Sequence, residues 1–200
     1  MTIAIDFFKV CIAVLSVTCI AACSNPTTLA QDASSQPNSE IKSTVDSTAA
    51  GELILTQEVL IHAPVADVWD AYSTEKGWAA WSTPLVSMDF KIGGTIKTNY
   101  NPNGTLEDET ANTLYIRNYV PQQLITLQAD LAPNWPEFMK EEADNLYNVT
   151  YFEAIGEKKT KLTSFGMGYK NNEKFLNLME FFIQGNEASY QKLKEVLEDK

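Results

Sequence analysis

From Leu53 to His62 the chain alternates: Leu53, Leu55, Gln57, Val59 and Ile61 fall on one side, and Ile54, Thr56, Glu58, Leu60 and His62 on the other. A period of two predicts a strand, here with the first set inward. At Pro64 the period changes. Val65, Val68, Trp69 and Tyr72 recur at i, i+3, i+4 and i+7, one face of a short amphipathic helix. Pro64 suits its first turn, where a missing N–H costs nothing. Ser73-Thr74 can cap a second short helix carrying Trp78 and Trp81, and Pro84 stops it. Alternation then returns in Val86, Met88, Phe90 and Ile92, turns at Gly93-Gly94, and continues through Ile96, Thr98 and Tyr100 against Lys97 and Asn99.

Further along, Asn101-Pro-Asn-Gly104 is a turn and Glu107-Asp-Glu109 a solvated acidic connection. Thr113–Val120 and Leu124–Ala129 read as strands joined at Pro121-Gln-Gln. Residues 132–139 break the pattern around Pro133, Trp135 and Pro136, and form a candidate lid. Val149–Ile155 and Lys161–Phe165 make a last hairpin. A helix from about Asn172 to Glu198, on the order of 40 Å long, carries Phe175, Leu178, Met179, Phe182, Tyr190, Leu193, Val196 and Leu197 on one broad stripe. Gly185 falls inside it as a possible bend.

The 200 residues carry a formal net charge of −11, and with 22 Asp/Glu against 13 Lys/Arg, residues 51–200 hold −9 of it. Such a surface repels phosphate backbones and anionic head groups, and no basic stripe interrupts it, so nucleic acid is an unfavourable partner. The three cysteines, Cys11, Cys19 and Cys23, precede the patterned region. The domain therefore has no disulfide, thiol nucleophile or Cys-bound metal in prospect.

Val10–Ala22 is an uncharged run of 13 residues with Lys9 before it. It is short for a bilayer span and has the length of a signal-peptide core. Ile20-Ala21-Ala22-Cys23 then resembles a bacterial lipobox. The resemblance implies a signal peptide over 1–22, acylation of Cys23, and attachment to the cell envelope. Ser24 after the cysteine points to the outer membrane, facing the periplasm, in a Gram-negative cell. Residues 23–50 are rich in Ser, Thr, Asn, Gln and Pro, lack aromatics, and are expected to be a flexible tether. The folded domain is expected over 51–200.

Ala63-Pro64, Val68-Trp69, Trp81 and Asp89-x-x-x-Gly93-Gly94 together resemble the START-like helix-grip superfamily (SRPBCC), in the branch of polyketide cyclases and homologues of the heat-shock chaperone ATPase activator. Ile116 through Pro121 to Leu124 resembles that family's strand–Pro–strand hairpin. Gly185 followed by Gln191–Glu198 resembles its ending, although the Trp common after that glycine is Asn186 here. The resemblance covers residues 52–198. It implies an α+β fold: a curved antiparallel sheet wrapped around a long C-terminal helix, with two short helices between the first and second strands. It also implies a cavity between sheet and helix open to hydrophobic ligands.

Catalytic groups are sparse. His62 is the only histidine, on the outward side of its strand, and the domain lacks the usual zinc or iron ligands. Glu141, Glu142 and Asp144 match no calcium loop. No phosphate loop follows Gly93-Gly94, and no cofactor motif is present. The candidate ligand residues are Trp69, Trp78, Trp81, Asn99, Tyr115, Arg117, Tyr119, Trp135, Phe175, Met179 and Phe182. For the first three, packing competes with ligand contact. Arg117 would either grip a ligand carboxylate or reach solvent and an acidic neighbour. Trp135 is a lid or a local plug. The reading favours a membrane-anchored periplasmic module for a hydrophobic or amphipathic small molecule, ahead of a ligand-free interaction module with an unidentified protein partner. A cyclase or dehydratase ranks below both, because no general base is in view.

Overall fold

The computed structural model describes residues 40–199 apart from 132 and 134. Eight strands form one antiparallel, unclosed sheet: β1 (Ile41–Ser47), β2 (Glu52–Ile61), β3 (Leu85–Met88), β4 (Thr95–Asn99), β5 (Asn112–Val120), β6 (Leu124–Asp130), β7 (Tyr147–Gly156) and β8 (Lys159–Lys170). Their order across the sheet is β1-β2-β8-β7-β6-β5-β4-β3. Helices α1 (Val65–Ser73) and α2 (Glu75–Trp81) lie between β2 and β3, α3 (Glu137–Lys140) lies between β6 and β7, and α4 (Glu173–Glu198) ends the chain. This is the helix-grip α+β fold that the family resemblance implied.

Local chemistry sets the boundaries. Pro64 stands at the N-cap of α1, and Thr74 Oγ1 accepts from Gly77 N to cap α2. Gly93 adopts a positive φ of 79°, and a Cβ on Gly94 would overlap the Asp89 carbonyl. That overlap is the physical content of the Asp89-x-x-x-Gly93-Gly94 pattern. The turn is broader than the alternation suggests: β3 stops at Met88, and Ile92 is exposed. Asn172 caps α4 by accepting from Phe175 N, and α4 runs unbroken through Gly185.

One boundary is corrected. Residues 23–50 read as tether, yet Ile41–Ser47 pair along their whole length with β2, from Ile41 opposite Val59 to Ser47 opposite Leu53. The reason is a faint alternation. Ile41, Ser43 and Val45 are half-buried on the inner side while Lys42, Thr44 and Asp46 are exposed, as suits an edge strand. The domain therefore begins near Glu40, and a cut at residue 51 would remove a strand. The two short helices accordingly follow the second strand, not the first. The lipobox and Cys23 lie outside the described residues.

The start of β1 is tied to the end of α4. Lys194, buried at 6% exposure, donates to Leu60 O (2.6 Å) and Glu198 Oε1 (2.7 Å), and its ammonium lies 2.7 Å from Glu40 Oε2. The Lys194 hydrogen bond holds the Glu40 carboxyl below its ordinary 4.5. Burial alone would lower the Lys194 ammonium, but hydrogen bonds to Glu198 and Glu40 outweigh it and raise it above 10.5. A depressed carboxyl stabilises the fold above its unfolded pKa and loses that contribution as pH falls through its folded one. Thermal stability should therefore fall as pH drops below 4.5, and Lys194→Met should flatten that part of the acid limb. The same substitution should cost about 1–3 kcal/mol at pH 7, since the Leu60 carbonyl and both carboxylates lose their donor; urea unfolding measures it.

Candidate functional site

Two apolar clusters fill the space between sheet and α4. The first joins Val59, Ile61, Ile116, Ile125 and Leu162 of the sheet to Val68, Trp69, Tyr72, Trp78 and Trp81 of α1 and α2 and to Tyr190, Leu193 and Leu197 of α4. Its aromatics meet edge-on or tilted: Trp69 with Phe152 at 5.4 Å, Tyr72 with Trp78 at 5.7 Å, Trp78 with Trp81 at 5.1 Å between centroids. Trp81 Nε1 donates to Ala71 O at 2.9 Å. Trp78 Nε1 is the one buried side-chain donor without a partner among the described residues. The second cluster gathers Leu53, Leu55, Met139, Leu146, Phe175 and Met179, with Trp135, Phe138, Tyr169 and Phe182 packed against it.

Between the clusters runs a polar layer. Ser43, Gln57, Ser164 and Thr150 stand directly opposite one another across β1, β2, β8 and β7. Gln57, Ser164 and Thr150 are each 1% exposed. Buried polar groups must find partners, and this row finds them along itself and on α4. Asn186 Nδ2 donates to Gln57 Oε1 (2.7 Å), Gln57 Nε2 donates to Ser43 Oγ (3.0 Å), and Ser43 Oγ donates to Glu187 Oε1 (2.7 Å). Beside this, Thr150 donates to Asn148 Oδ1 (3.0 Å) and Asn148 Nδ2 to Ser164 Oγ (2.8 Å). The Tyr190 phenol adjoins Ser164; burial pushes it up to about 12, with the Ser164 hydrogen bond pulling the other way. Burial also raises Tyr72 well above its ordinary range. Both phenols stay protonated at neutral pH, and that of Tyr190 serves as a hydrogen-bonding group toward Ser164.

The residues named from the sequence separate into four places. Trp69, Trp78, Trp81 and Tyr119 belong to the first cluster, with Tyr119 4.8 Å from Phe90. Phe175, Met179, Phe182 and Trp135 belong to the second. Trp135 donates to Asn112 Oδ1 (3.0 Å) and its ring lies 6.1 Å from Phe182, so it sits as a plug over the N-terminal half of α4. Tyr115 and Arg117 take the outer face. Their parity with Tyr119 is broken because β5 shifts register between Ile116 and Asn118, with Arg117 as the extra residue. Arg117 Nε donates to Gln128 Oε1 (2.6 Å), its guanidinium lies 5.0 Å over the Tyr115 ring, and Tyr115 donates to Asp130 Oδ2 (3.2 Å). Asn99 is 1% exposed but spends its amide on the 101–110 loop, donating to Thr105 O at 2.7 Å. The sequence pointed to Gln57 as inward and to Asn186 as a departure from the family. It carried no sign that these two would meet, or that Ser43 and Glu187 would complete the path.

Outside the grip, Glu40, His62 and Glu198 lie close enough to share one ion, but the Lys194 ammonium already stands between the two carboxylates. An outer-face depression of about 560 Å³ is lined by Glu58, Gln123, Tyr151, Glu153, Lys161 and Phe165. No helix among the described residues is long and apolar enough to cross a membrane.

Residues 62–198, more than half of the chain, match the family described as Activator of Hsp90 ATPase homolog 1-like protein. The chain belongs to that family. Its place in the START-like superfamily accords with the solved structures it resembles. The Aha1 dimer from Colwellia psychrerythraea aligns at 16% identity over 72% of this chain and 95% of that one, with a TM-score of 0.54. CalU16 from Micromonospora echinospora aligns at 15% identity over 80% and 76%, TM-score 0.54. Norcoclaurine synthase from Thalictrum flavum, solved with dopamine and hydroxybenzaldehyde, aligns at 13% identity over 79% and 90%, TM-score 0.53. These likenesses establish the fold. A comparison with curated proteins finds no match. β1 and all of β2 precede the matched residues, so Ser43 and Gln57 lie outside the match and Asn186 and Glu187 inside it.

Gln57→Ala should cost about 1–3 kcal/mol for the unpaired Asn186 and Ser43 groups, beyond the packing lost. Asn148→Ala, by the same reasoning, should destabilise less, because Ser164 keeps Tyr190 as a neighbour. Chemical denaturation of the two variants checks the order.

Proposed function

We propose that this chain is an envelope-anchored module that binds an amphipathic small molecule between the concave face of the sheet and α4. The observation that carries the reading is the polar layer itself. An interior built only for stability gains from apolar packing, whereas here Ser43, Gln57, Asn148, Thr150 and Ser164 face Asn186, Glu187 and Tyr190 between two apolar clusters. Few polar groups set in apolar walls is the usual composition of a small-molecule site. A helix-grip relative solved with dopamine and hydroxybenzaldehyde supports the placement of ligands in this fold. The residues present favour binding over catalysis: the described interior holds no histidine, and its phenols stay protonated.

The anchor is part of the proposal. Cys23 of the lipobox would carry the acyl chains, and 16 residues separate it from Glu40. At about 3.6 Å per residue the domain would stay within roughly 60 Å of the membrane. In a Gram-negative cell Ser24 favours the outer membrane, with the domain in the periplasm.

A second reading, an interaction module, draws on the outer face, where Val120, Tyr151 and Ile155 are exposed beside the depression. The two are separated by native and denaturing mass spectra of the full chain isolated from its envelope. The binding reading expects a discrete extra mass released on denaturation; a bare polypeptide, before and after incubation with envelope extract, contradicts it. For the anchor, Cys23→Ala should abolish incorporation of labelled palmitate and release the chain from the membrane fraction.

A further inference from the structure

Four carboxylates among the described residues are half-buried: Glu58, Glu142, Glu187 and Glu198. Three have a lysine. Glu58 pairs with Lys161, Glu142 with Lys170 and Glu198 with Lys194. Glu187 pairs with no cation among the described residues. It is also the one of the four that faces the polar layer.

The direction of the hydrogen bonds makes this more than a missing partner. A carboxylate only accepts. Ser43 must therefore donate its hydroxyl to Glu187 Oε1 and accept from Gln57 Nε2. Gln57 is then left with Oε1, which fixes Asn186 as the donor through Nδ2. Each amide spends one of its two N–H groups along the path, and the path runs toward the negative charge. At its end stand the second oxygen of Glu187 and, on the adjacent residue of α4, the amide of Asn186. A ligand meeting Glu187 has to bring donors, and it meets a negative charge that no cation among the described residues compensates.

The surroundings fit one kind of molecule. Phe182 and Ile183 of the second cluster flank the pair on one side and Tyr190 of the first on the other. At Gly185 an added Cβ would meet nothing within 4 Å, so the helix surface beside Asn186 is open. With 24 Asp/Glu against 14 Lys/Arg, residues 40–200 carry a net −10, which raises the local concentration of cations and lowers that of anions.

We infer that the ligand carries an ammonium group on an apolar body, and that Glu187 and Asn186 receive the ammonium while the adjoining apolar side chains hold the body. This rests on the ligand-binding reading above and names the chemical class of the ligand. Charge-assisted hydrogen bonds are about twice as strong as neutral ones, so the head group should dominate discrimination among ligands with the same tail.

The test titrates the full chain at pH 7 with three probes of equal chain length, n-octylamine, n-octanol and octanoate, by calorimetry. The expected order is octylamine tighter than octanol by about tenfold, with octanoate weakest. Glu187→Gln keeps an oxygen for Ser43 to donate to. It should lower octylamine affinity about tenfold and octanol affinity much less, so that the preference for octylamine is lost, with the melting temperature of the variant recorded alongside. In the unaltered chain, octylamine binding should weaken as salt rises while octanol binding does not; this holds the inference to account even where the variant fails to fold. Octanol and octylamine within twofold of one another, or a preference that survives Glu187→Gln, would overturn the ammonium assignment and leave ligand binding standing. Binding of none of the three would remove the ligand-binding reading and this inference with it.

Discussion

Ser43, Gln57, Ser164 and Thr150 face each other across four neighbouring strands, on the side of the sheet that is closed off by a helix. A polar row in that position has to be answered, because a buried donor or acceptor without a partner costs on the order of 1–3 kcal/mol. The answer comes from α4. Its apolar stripe is interrupted between Ile183 and Tyr190 by Asn186 and Glu187, at the level of the row. The helix can therefore seat in one register along its axis. A slide of one turn would set Asn186 and Glu187 against an apolar cluster and leave Gln57 and Ser43 without partners. The division of the interior into two clusters, the placement of the aromatic helices over one, and the seating of the 131–146 segment over the other all follow from that register.

The same constraint explains why β1 exists as a strand. Its composition is poor for folding, and it buries little. It gains its place through Ser43, which receives from Gln57 and donates to Glu187, and through Glu40 beside Lys194. Both contacts bridge the edge of the sheet to α4, at two heights seven residues apart along the helix, about two turns. The family match starts at residue 62, so this edge lies on the N-terminal side of the matched residues. Strand pairing and the polar path thus join the first described residues to the helix that would contact a ligand.

Much of the scaffold was legible because short-range patterns carry it. The alternation of Leu53–Ile61, the i, i+3, i+4, i+7 spacing of Val65–Tyr72, the Gly93-Gly94 turn and the stripe of α4 each needed only neighbours in sequence. β1 was missed because Ser, Thr and Asp dilute its period of two, and only its pairing with β2 reveals it. Tyr115, Arg117 and Tyr119 looked alike because one extra residue in β5, Arg117, cannot be seen without the pairing of β6. The polar layer was least legible. Gln57 could be seen to face inward and Asn186 to depart from the family, but their meeting joins residues 129 positions apart. Trp69, Trp78, Trp81, Phe175 and Phe182 lie in the two clusters while Tyr115 faces outward, and bulk alone does not distinguish a wall from a filling.

The account turns on the link between the edge strand and the helix, and a double-mutant cycle of Ser43→Ala and Glu187→Ala measures it most directly. Urea unfolding of the full chain and its three variants should give a coupling energy of about 1.5–3 kcal/mol, the range for a hydrogen bond to a charged group. Two single losses that add to within about 0.3 kcal/mol would show that Ser43 and Glu187 do not act together, and would contradict both the register argument and the path that ends on Glu187.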